Sequence, residues 1–106
     1  MQKHKLENFT RGWLVGDFSP TILPSKDFEF MVRAYKKGDV EAKHVHRIAH
    51  EITVAVTGRY KMNGEILEQG DVIHLNPGDS ADFECLEDGW TAVVKTPSIK
   101  GDKYLV

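Results

Sequence analysis

The chain has 106 residues, of which 41% are hydrophobic and 28% are charged, and its formal net charge is -2 with histidine neutral. This length supports one domain with one core, and the composition is too apolar for a disordered chain. The basic residues are scattered along the sequence, so the positive patch that nucleic acid or an anionic membrane surface requires is not predicted. We therefore expect neither as a partner.

The cysteine content and the N-terminus predict a cellular location. Cys85 is the single cysteine, so no disulfide can form within the chain, which is typical of a reducing compartment. The N-terminal stretch is charged throughout and lacks the apolar run of a signal peptide. No segment approaches the roughly 20 apolar residues that a membrane span needs. The sequence predicts a cytoplasmic protein.

Residues 1–25 are predicted to form an N-terminal arm that precedes a domain spanning residues 26–106. The arm contains several apolar residues among turn formers: Phe9, Trp13, Leu14 and Val15. Such residues favour an arm that packs over a sheet or reaches across to a second subunit, whereas residues 1–8 are as consistent with a loosely ordered terminus.

The rest of the chain has the pattern of an all-β fold. Turn-forming residues recur about every ten residues, as they do in sandwiches and barrels. Between them, residues 28–35 alternate apolar with polar side chains, and residues 52–57 and 91–96 are rich in β-branched side chains. The pair Asn63-Gly64 is a strong signal for a two-residue hairpin turn. No window shows a helical apolar stripe of useful length.

Three of the five histidines lie between Gly38 and Gly58. Because successive residues of a strand point to opposite faces, His44 and His46 share one face, and a tight turn near Ala49 would bring Glu51 beside them. Two imidazoles and one carboxylate form a ligand set that holds divalent iron and similar metals with open positions for substrate. The segment therefore predicts a metal site.

The spacing within this segment also resembles a known family signature. Five residues separate Gly38 from His44, one separates the two histidines, four separate His46 from Glu51, and six separate Glu51 from Gly58. This is the first signature of the cupin superfamily, and residues 26–97 are similar to small single-domain, RmlC-like cupins. The resemblance implies a single cupin β-barrel, a double-stranded β-helix or jelly roll of two antiparallel sheets, which is often dimeric.

The second cupin signature, at residues 70–85, is degenerate. Two glycines fit it, but three positions differ from the usual pattern: Asn76 replaces a proline, Ala81 replaces the third histidine ligand, and Cys85 replaces an asparagine. Loss of an imidazole should weaken metal binding without excluding it, because three protein ligands and water can hold a divalent ion. The resemblance implies Fe, Mn, Ni or Zn at His44, His46 and Glu51, and no organic cofactor.

Several other polar residues have two interpretations each. His50 is either a solvated turn residue or a further ligand supplied by the turn, and His74 is either a wall residue or a cavity residue. Asp82 should face away from the barrel interior unless a bulge turns it inward. Arg33 and Lys95 are charges that we expect to stand in water, although they could instead reach a cavity and pair with an acidic substrate.

Fold alone does not select a function, and three hypotheses follow. In the first, the site binds a divalent metal and a small oxygenated ligand, and the metal can catalyse a reaction of that ligand. Alternatively, without metal, a histidine acts as general acid or base on a sugar-like substrate, as in isomerases and epimerases of this fold. In the third, the pocket serves only binding or sensing. Ligand choice would depend on residues such as Phe28, Phe30, Thr53 and Phe83.

A homodimer is also predicted. If Glu51 points into the barrel, then Ile52, Val54 and Val56 point outward as an apolar stripe that something must cover. A small chain gains most when a second copy covers such a stripe across a two-fold axis, although the arm could cover it instead.

Overall fold

The computed structural model describes all 106 residues. Two single-turn 3₁₀ segments, Leu6–Asn8 and Thr10–Gly12, precede eleven strands. The strands are β1 Trp13–Gly16, β2 Leu23–Pro24, β3 Glu29–Tyr35, β4 Val40–Val45, β5 His50–Ala55, β6 Arg59–Met62, β7 Glu65–Leu67, β8 Val72–Leu75, β9 Ser80–Glu87, β10 Gly89–Thr96 and β11 Tyr104–Leu105.

The strands form two sheets that face each other. The larger sheet has the order β2-β1-β3-β10-β5-β8, and the smaller one has the order β11-β4-β9-β6-β7. Neighbouring strands are antiparallel except for the two-residue pairing of β1 with β2. This arrangement confirms the predicted jelly roll. No helix is long and apolar enough to cross a membrane.

The predicted hairpin joins β6 and β7. Asn63 and Gly64 both have positive φ, at 51° and 80°, which is the backbone of the turn that matches the twist of paired strands. Met62 accordingly pairs with Glu65 across the turn.

Strands β1 and β2, which lie within the predicted arm of residues 1–25, belong to the larger sheet. Within β1, Trp13 pairs with Met31 of β3, and Phe9 is buried just before this strand. A groove between the N-terminal segment and the outer side of the sheet is lined by Phe9, Val32 and Trp90 among others. The segment therefore covers the β3 side of that sheet.

The larger sheet turns its polar side inward. In β3 the residues that line the barrel interior are Glu29, Met31, Arg33 and Tyr35. The alternate residues, Phe30 among them, therefore lie on the outer face, and Phe28, just before the strand, does not line the cavity either. The expectation that these two phenylalanines shape the cavity is wrong. Alternation predicts which residues of a strand share a face, but it does not predict which face points inward. Here the face that carries the charged residues lines the cavity.

The hydrophobic core fills one end of the barrel. Its buried members are Tyr35, Ala55, Tyr60, Met62, Leu67, Ala81, Phe83 and Cys85. Three aromatic rings pack together there, with ring centroids 4.7 Å apart for Tyr35 and Phe83 and 5.3 Å apart for Tyr60 and Phe83. The other end remains open as a cavity, and the core forms its floor.

Candidate metal centre

The predicted histidines and glutamate lie together at the open end of the barrel. His44 is on β4, His46 follows that strand, and Glu51 is near the start of β5. One ligand atom from each residue lies within 4.8 Å of the others, and His46 Nε2 is 3.4 Å from Glu51 Oε1. The turn between β4 and β5 therefore brings the three side chains to one place.

Backbone carbonyls orient both imidazoles. Nδ1–H of His44 donates to the carbonyl of Ala42 at 3.0 Å, and Nδ1–H of His46 donates to the carbonyl of Asp102. A carbonyl oxygen only accepts hydrogen bonds, so each Nδ1 must carry the proton. This leaves the Nε2 lone pairs free, which is how protein surroundings fix histidine ligands of metals.

Asp102 also holds the turn that precedes Glu51. Its buried carboxylate accepts the backbone N–H groups of Arg47 at 2.8 Å, Ile48 at 3.1 Å and Ala49 at 2.9 Å. Sequence reasoning missed this residue, because it lies 53 to 56 positions away from the groups that it binds. No local pattern in the sequence predicts a contact between residues so far apart.

The residues present fit a divalent metal ion. Nε2 of His46 is buried and has no hydrogen-bond partner, an arrangement that costs free energy unless another group occupies the position. Two atoms each about 2.1 Å from one ion are between about 3.0 and 4.2 Å apart, and the 3.4 Å contact of His46 with Glu51 falls in that range. Small side-chain movements would complete the set.

Glu51 has the charge state that a metal ligand requires. Burial acts to raise the pKa of Glu51, but the polar contact with His46, the charges that His46 and His44 carry when protonated, and the charge of Lys95 together lower that pKa below its usual value. The side chain is therefore a carboxylate at neutral pH, and its Oε2 accepts a hydrogen bond from the hydroxyl of Thr53 at 3.2 Å.

The other ligand candidates lie elsewhere. His50 and His74 are exposed on the outer side of the larger sheet, with Nδ1 of His50 3.0 Å from Nε2 of His74. Asp82 is an exposed residue at the cavity rim and accepts the backbone N–H of Asn63 at 2.7 Å. Ala81 is buried opposite His44 and offers no ligand atom.

The three side chains open into a cavity of about 270 Å³. Thr53 and Phe83 line it as expected. Arg33 and Lys95 also line it, and their side chains are only 14% and 12% exposed. The expectation that these two charges stand in water is therefore wrong, because the inward face of the larger sheet carries them into the barrel.

Arg33 belongs to a closed polar network in the cavity wall. Its Nη1 donates to Glu41 Oε1 at 3.0 Å and to the hydroxyl of Tyr35 at 2.9 Å, and that hydroxyl donates to Glu41 Oε1 at 2.9 Å. Its Nε donates to the carbonyl of Arg11 at 2.7 Å. Arg33 thus stabilises the wall and is largely occupied by protein groups.

No family model and no curated protein matches the sequence. Solved structures do resemble this one. A Klebsiella pneumoniae subsp. pneumoniae MGH 78578 protein with a double-stranded β-helix domain has a TM-score of 0.73 at 19% identity, over 99% of this chain and 91% of that one. KdgF from Halomonas sp. has a TM-score of 0.65 at 21% identity, over 72% and 74% of the chains.

Bacillus subtilis oxalate decarboxylase, which has Mn(II) centers, gives a TM-score of 0.65 at 15% identity, over 77% of this chain and 25% of that one. At these identities the likeness concerns the path of the backbone. Together with the two facing sheets and their strand order, and with the similarity to solved RmlC-like cupins, it shows that the chain has the cupin fold, a double-stranded β-helix.

Proposed function

We propose that this chain holds a divalent metal ion through His44, His46 and Glu51 and binds a small oxygenated ligand beside it. The observation that carries the proposal is the buried Nε2 of His46, which has no partner and lies against the carboxylate of Glu51. A bound cation would satisfy this atom, and hydrogen bonds to backbone carbonyls already aim both imidazoles for that purpose.

The site leaves room for a ligand. Ala81 contributes no ligand atom where the family signature has a histidine, so three protein groups leave positions open on the ion. A divalent metal there would act as a Lewis acid toward a bound oxygen atom. An oxalate decarboxylase with the same fold has Mn(II) centers, which supports the proposal that this chain also binds a metal. The chain's own residues orient the ligand set and enclose the cavity.

Metal analysis of protein purified without an affinity tag tests the proposal. We expect Mn(II), Fe(II), Ni(II) or Zn(II) to bind, and His46→Ala and Glu51→Gln to weaken binding by more than about tenfold, since even groups that only support a ligand change affinity by about 10–100-fold. Ala81→His should tighten binding, because it restores an imidazole opposite His44.

His50→Ala is the matched control, because His50 lies next to Glu51 in sequence but on the outer face of the sheet. This variant should bind metal as the wild type does. If no divalent ion binds, the metal-free hypothesis replaces this one, and turnover of a sugar-like substrate then separates acid–base catalysis from binding alone.

A further inference from the structure

Lys95 lies between two carboxylates at the level of the proposed metal. In the larger sheet it pairs directly with Glu29 of β3 on one side and with Glu51 of β5 on the other. All three side chains line the cavity. Direct cross-strand neighbours have Cβ atoms about 4.5–5.5 Å apart, so the ammonium group belongs to the surroundings of the metal ligand Glu51.

The ammonium group of Lys95 has hydrogen-bonding capacity to spare. Its ion pair with Glu29 Oε1 spans 3.5 Å, longer than the roughly 2.7–2.9 Å of a charge-assisted hydrogen bond, and it lies 5.8 Å from the ring centroid of Trp13. An ammonium carries three donors, and its side chain is only 12% exposed. A ligand that enters the cavity therefore meets unfilled donors.

Glu29 is held back from Lys95 by the C-terminal segment. Its Oε2 accepts a hydrogen bond from the hydroxyl of Ser98 at 2.8 Å, and that hydroxyl accepts the backbone N–H of Asp17 at 2.9 Å. Ser98 is buried. Glu29 is thereby anchored to the wall, and it neutralises Lys95 at a distance without filling its donors.

The charge of the cavity favours an anion. Four cationic side chains line it, namely Arg11, Arg33, Lys95 and Lys103, and four carboxylates do so, namely Glu29, Glu41, Glu51 and Asp82. These cancel, so a divalent ion would give the lining a net charge of about +2. Arg33 is already occupied by Glu41 and Tyr35, and Lys95 is the cationic side chain that pairs directly with a proposed metal ligand, Glu51, across the sheet.

We propose that the ligand of this site is a small carboxylic acid with an oxygen atom on the carbon next to the carboxylate, and that Lys95 receives the carboxylate. An oxygen on the adjacent carbon suits this arrangement, because Lys95 pairs directly with the metal ligand Glu51 across the sheet and a short ligand can reach both groups. The inference rests on the proposed metal site and names its ligand class.

Glycolate and glycolamide are the probes, because they have nearly the same shape and differ in charge. Their binding to Co(II)-loaded protein is measured by calorimetry and by the visible absorption of Co(II). We expect Lys95→Met to lose about tenfold to a hundredfold in glycolate affinity, the value of a charge-assisted hydrogen bond, and to keep its glycolamide affinity. Lys95→Arg should retain most of the glycolate affinity.

Two further readouts separate ligand binding from structural damage. Lys95→Met should bind Co(II) as tightly as the wild type or more tightly, because it removes a cation beside the site, whereas a damaged barrel would bind less. Lys61→Met is the matched control, since Lys61 is exposed on β6 and does not line the cavity. If Lys95→Met does not fold, Lys95→Gln provides the uncharged variant.

The outcomes distinguish the two proposals. Co(II) uptake with unchanged glycolate affinity in the uncharged Lys95 variant overturns the ligand class and leaves the metal site standing. Absence of Co(II) uptake by the wild-type chain overturns both. Glycolate affinity that falls equally in the Lys61 and Lys95 variants also overturns the role of Lys95, because a distant charge would then explain the effect.

Discussion

Asp102 supports the histidine site from the far end of the chain. Its backbone carbonyl fixes His46, and its carboxylate gathers three consecutive N–H groups of the turn before Glu51. Hydrogen bonds to a charged acceptor contribute about 1.5–3 kcal/mol each in favourable cases, and those of one acceptor are not additive. This single residue therefore supports two proposed ligands, His46 through its backbone carbonyl and Glu51 through its carboxylate.

We expect Asp102→Ala to lower the free energy of unfolding by about 2–3 kcal/mol and to weaken metal binding by about 10–100-fold. Asp102→Asn keeps one acceptor oxygen and should lie between the two. Urea unfolding and calorimetry with Mn(II) measure these effects. Asp71→Ala is the control, because Asp71 caps a turn through one N–H, that of Glu68, outside the cavity lining. Equal loss of metal affinity in both alanine variants would contradict a specific role.

The contribution of Asp102 should depend on pH. Burial acts to raise the pKa of Asp102, but the backbone N–H groups of Ala49, Arg47 and Ile48, and the charge of His46 when it is protonated, lower that pKa below its usual value. A lowered pKa means that the stabilisation is complete above the unfolded-state pKa of about 3.9 and is lost as pH falls through the folded-state value. The stability difference between wild type and Asp102→Asn should therefore shrink below about pH 4.

Sequence reasoning found the proposed ligands and missed their support for a physical reason. His44, His46 and Glu51 are joined by one strand and one turn, so alternation and short spacing suffice to predict that they meet. Asp102 reaches the same place only after the whole barrel has closed. Its position depends on packing over the full chain, which no local pattern contains.

Two glycines that bound the histidine segment have different roles in their turns. Gly38 and Gly58 both have positive φ, at 95° and 89°. A Cβ atom on Gly38 would meet nothing within 4 Å, whereas one on Gly58 would lie 2.8 Å from both the carbonyl oxygen of Glu87 and the Cα of Gly89. The backbones around Gly58 and Gly89 are therefore in contact, and no side chain fits between them.

We expect Gly38→Ala to lower the free energy of unfolding by about 1 kcal/mol, the cost of a left-handed conformation for alanine. Gly58→Ala should cost about 2–4 kcal/mol, because steric overlap with fixed backbone is added to the same conformational cost. Urea unfolding of the two variants measures the difference. Equal losses of unfolding free energy in the two variants would contradict this prediction, because they would show that the backbones around Gly58 and Gly89 can move apart at little cost.

At the level of elements, the strands were predictable and the directions of their faces were not. Alternation in residues 28–35 and the β-branched runs near residues 52–57 and 91–96 predicted β3, β5 and β10. The apolar set of β3 nevertheless faces outward. A rule that places apolar residues inside fails for a barrel whose interior holds a charged cavity, because the polar side of the sheet is then the inner one.

The whole molecule has an apolar surface on the outer side of the larger sheet. The N-terminal segment covers the β3 side of this face through Phe9, and the side formed by β5 and β8 stays open. There Ile52, Val56 and Val72 remain 40%, 45% and 57% exposed. Exposed apolar residues grouped on one face are typical of an interface, and an isologous dimer would cover them with its own copy.

We expect the chain to sediment as a dimer at micromolar concentration, with Val54→Glu giving a mass near the 12.0 kDa of one chain. Burial of each of these side chains contributes about 1.5–3 kcal/mol, and a glutamate in the centre of the patch would remove that gain. Val40→Glu is the matched control, because Val40 is 70% exposed on the other sheet and should leave the dimer intact. A wild-type mass near that of one chain would contradict the prediction.

The uninterrupted registers that join β3, β10, β5 and β8 have a genetic consequence. Within these four strands, Gly89 apart, the odd-numbered side chains face the cavity or core and the even-numbered side chains face the outer surface. In a saturation mutagenesis experiment, parity of the residue number should therefore separate two phenotypes, altered ligand binding at odd positions and altered association at even ones. Substitutions at odd positions can then change ligand binding during evolution while the even-numbered residues of the same strand keep association unchanged. The reverse holds for substitutions at even positions.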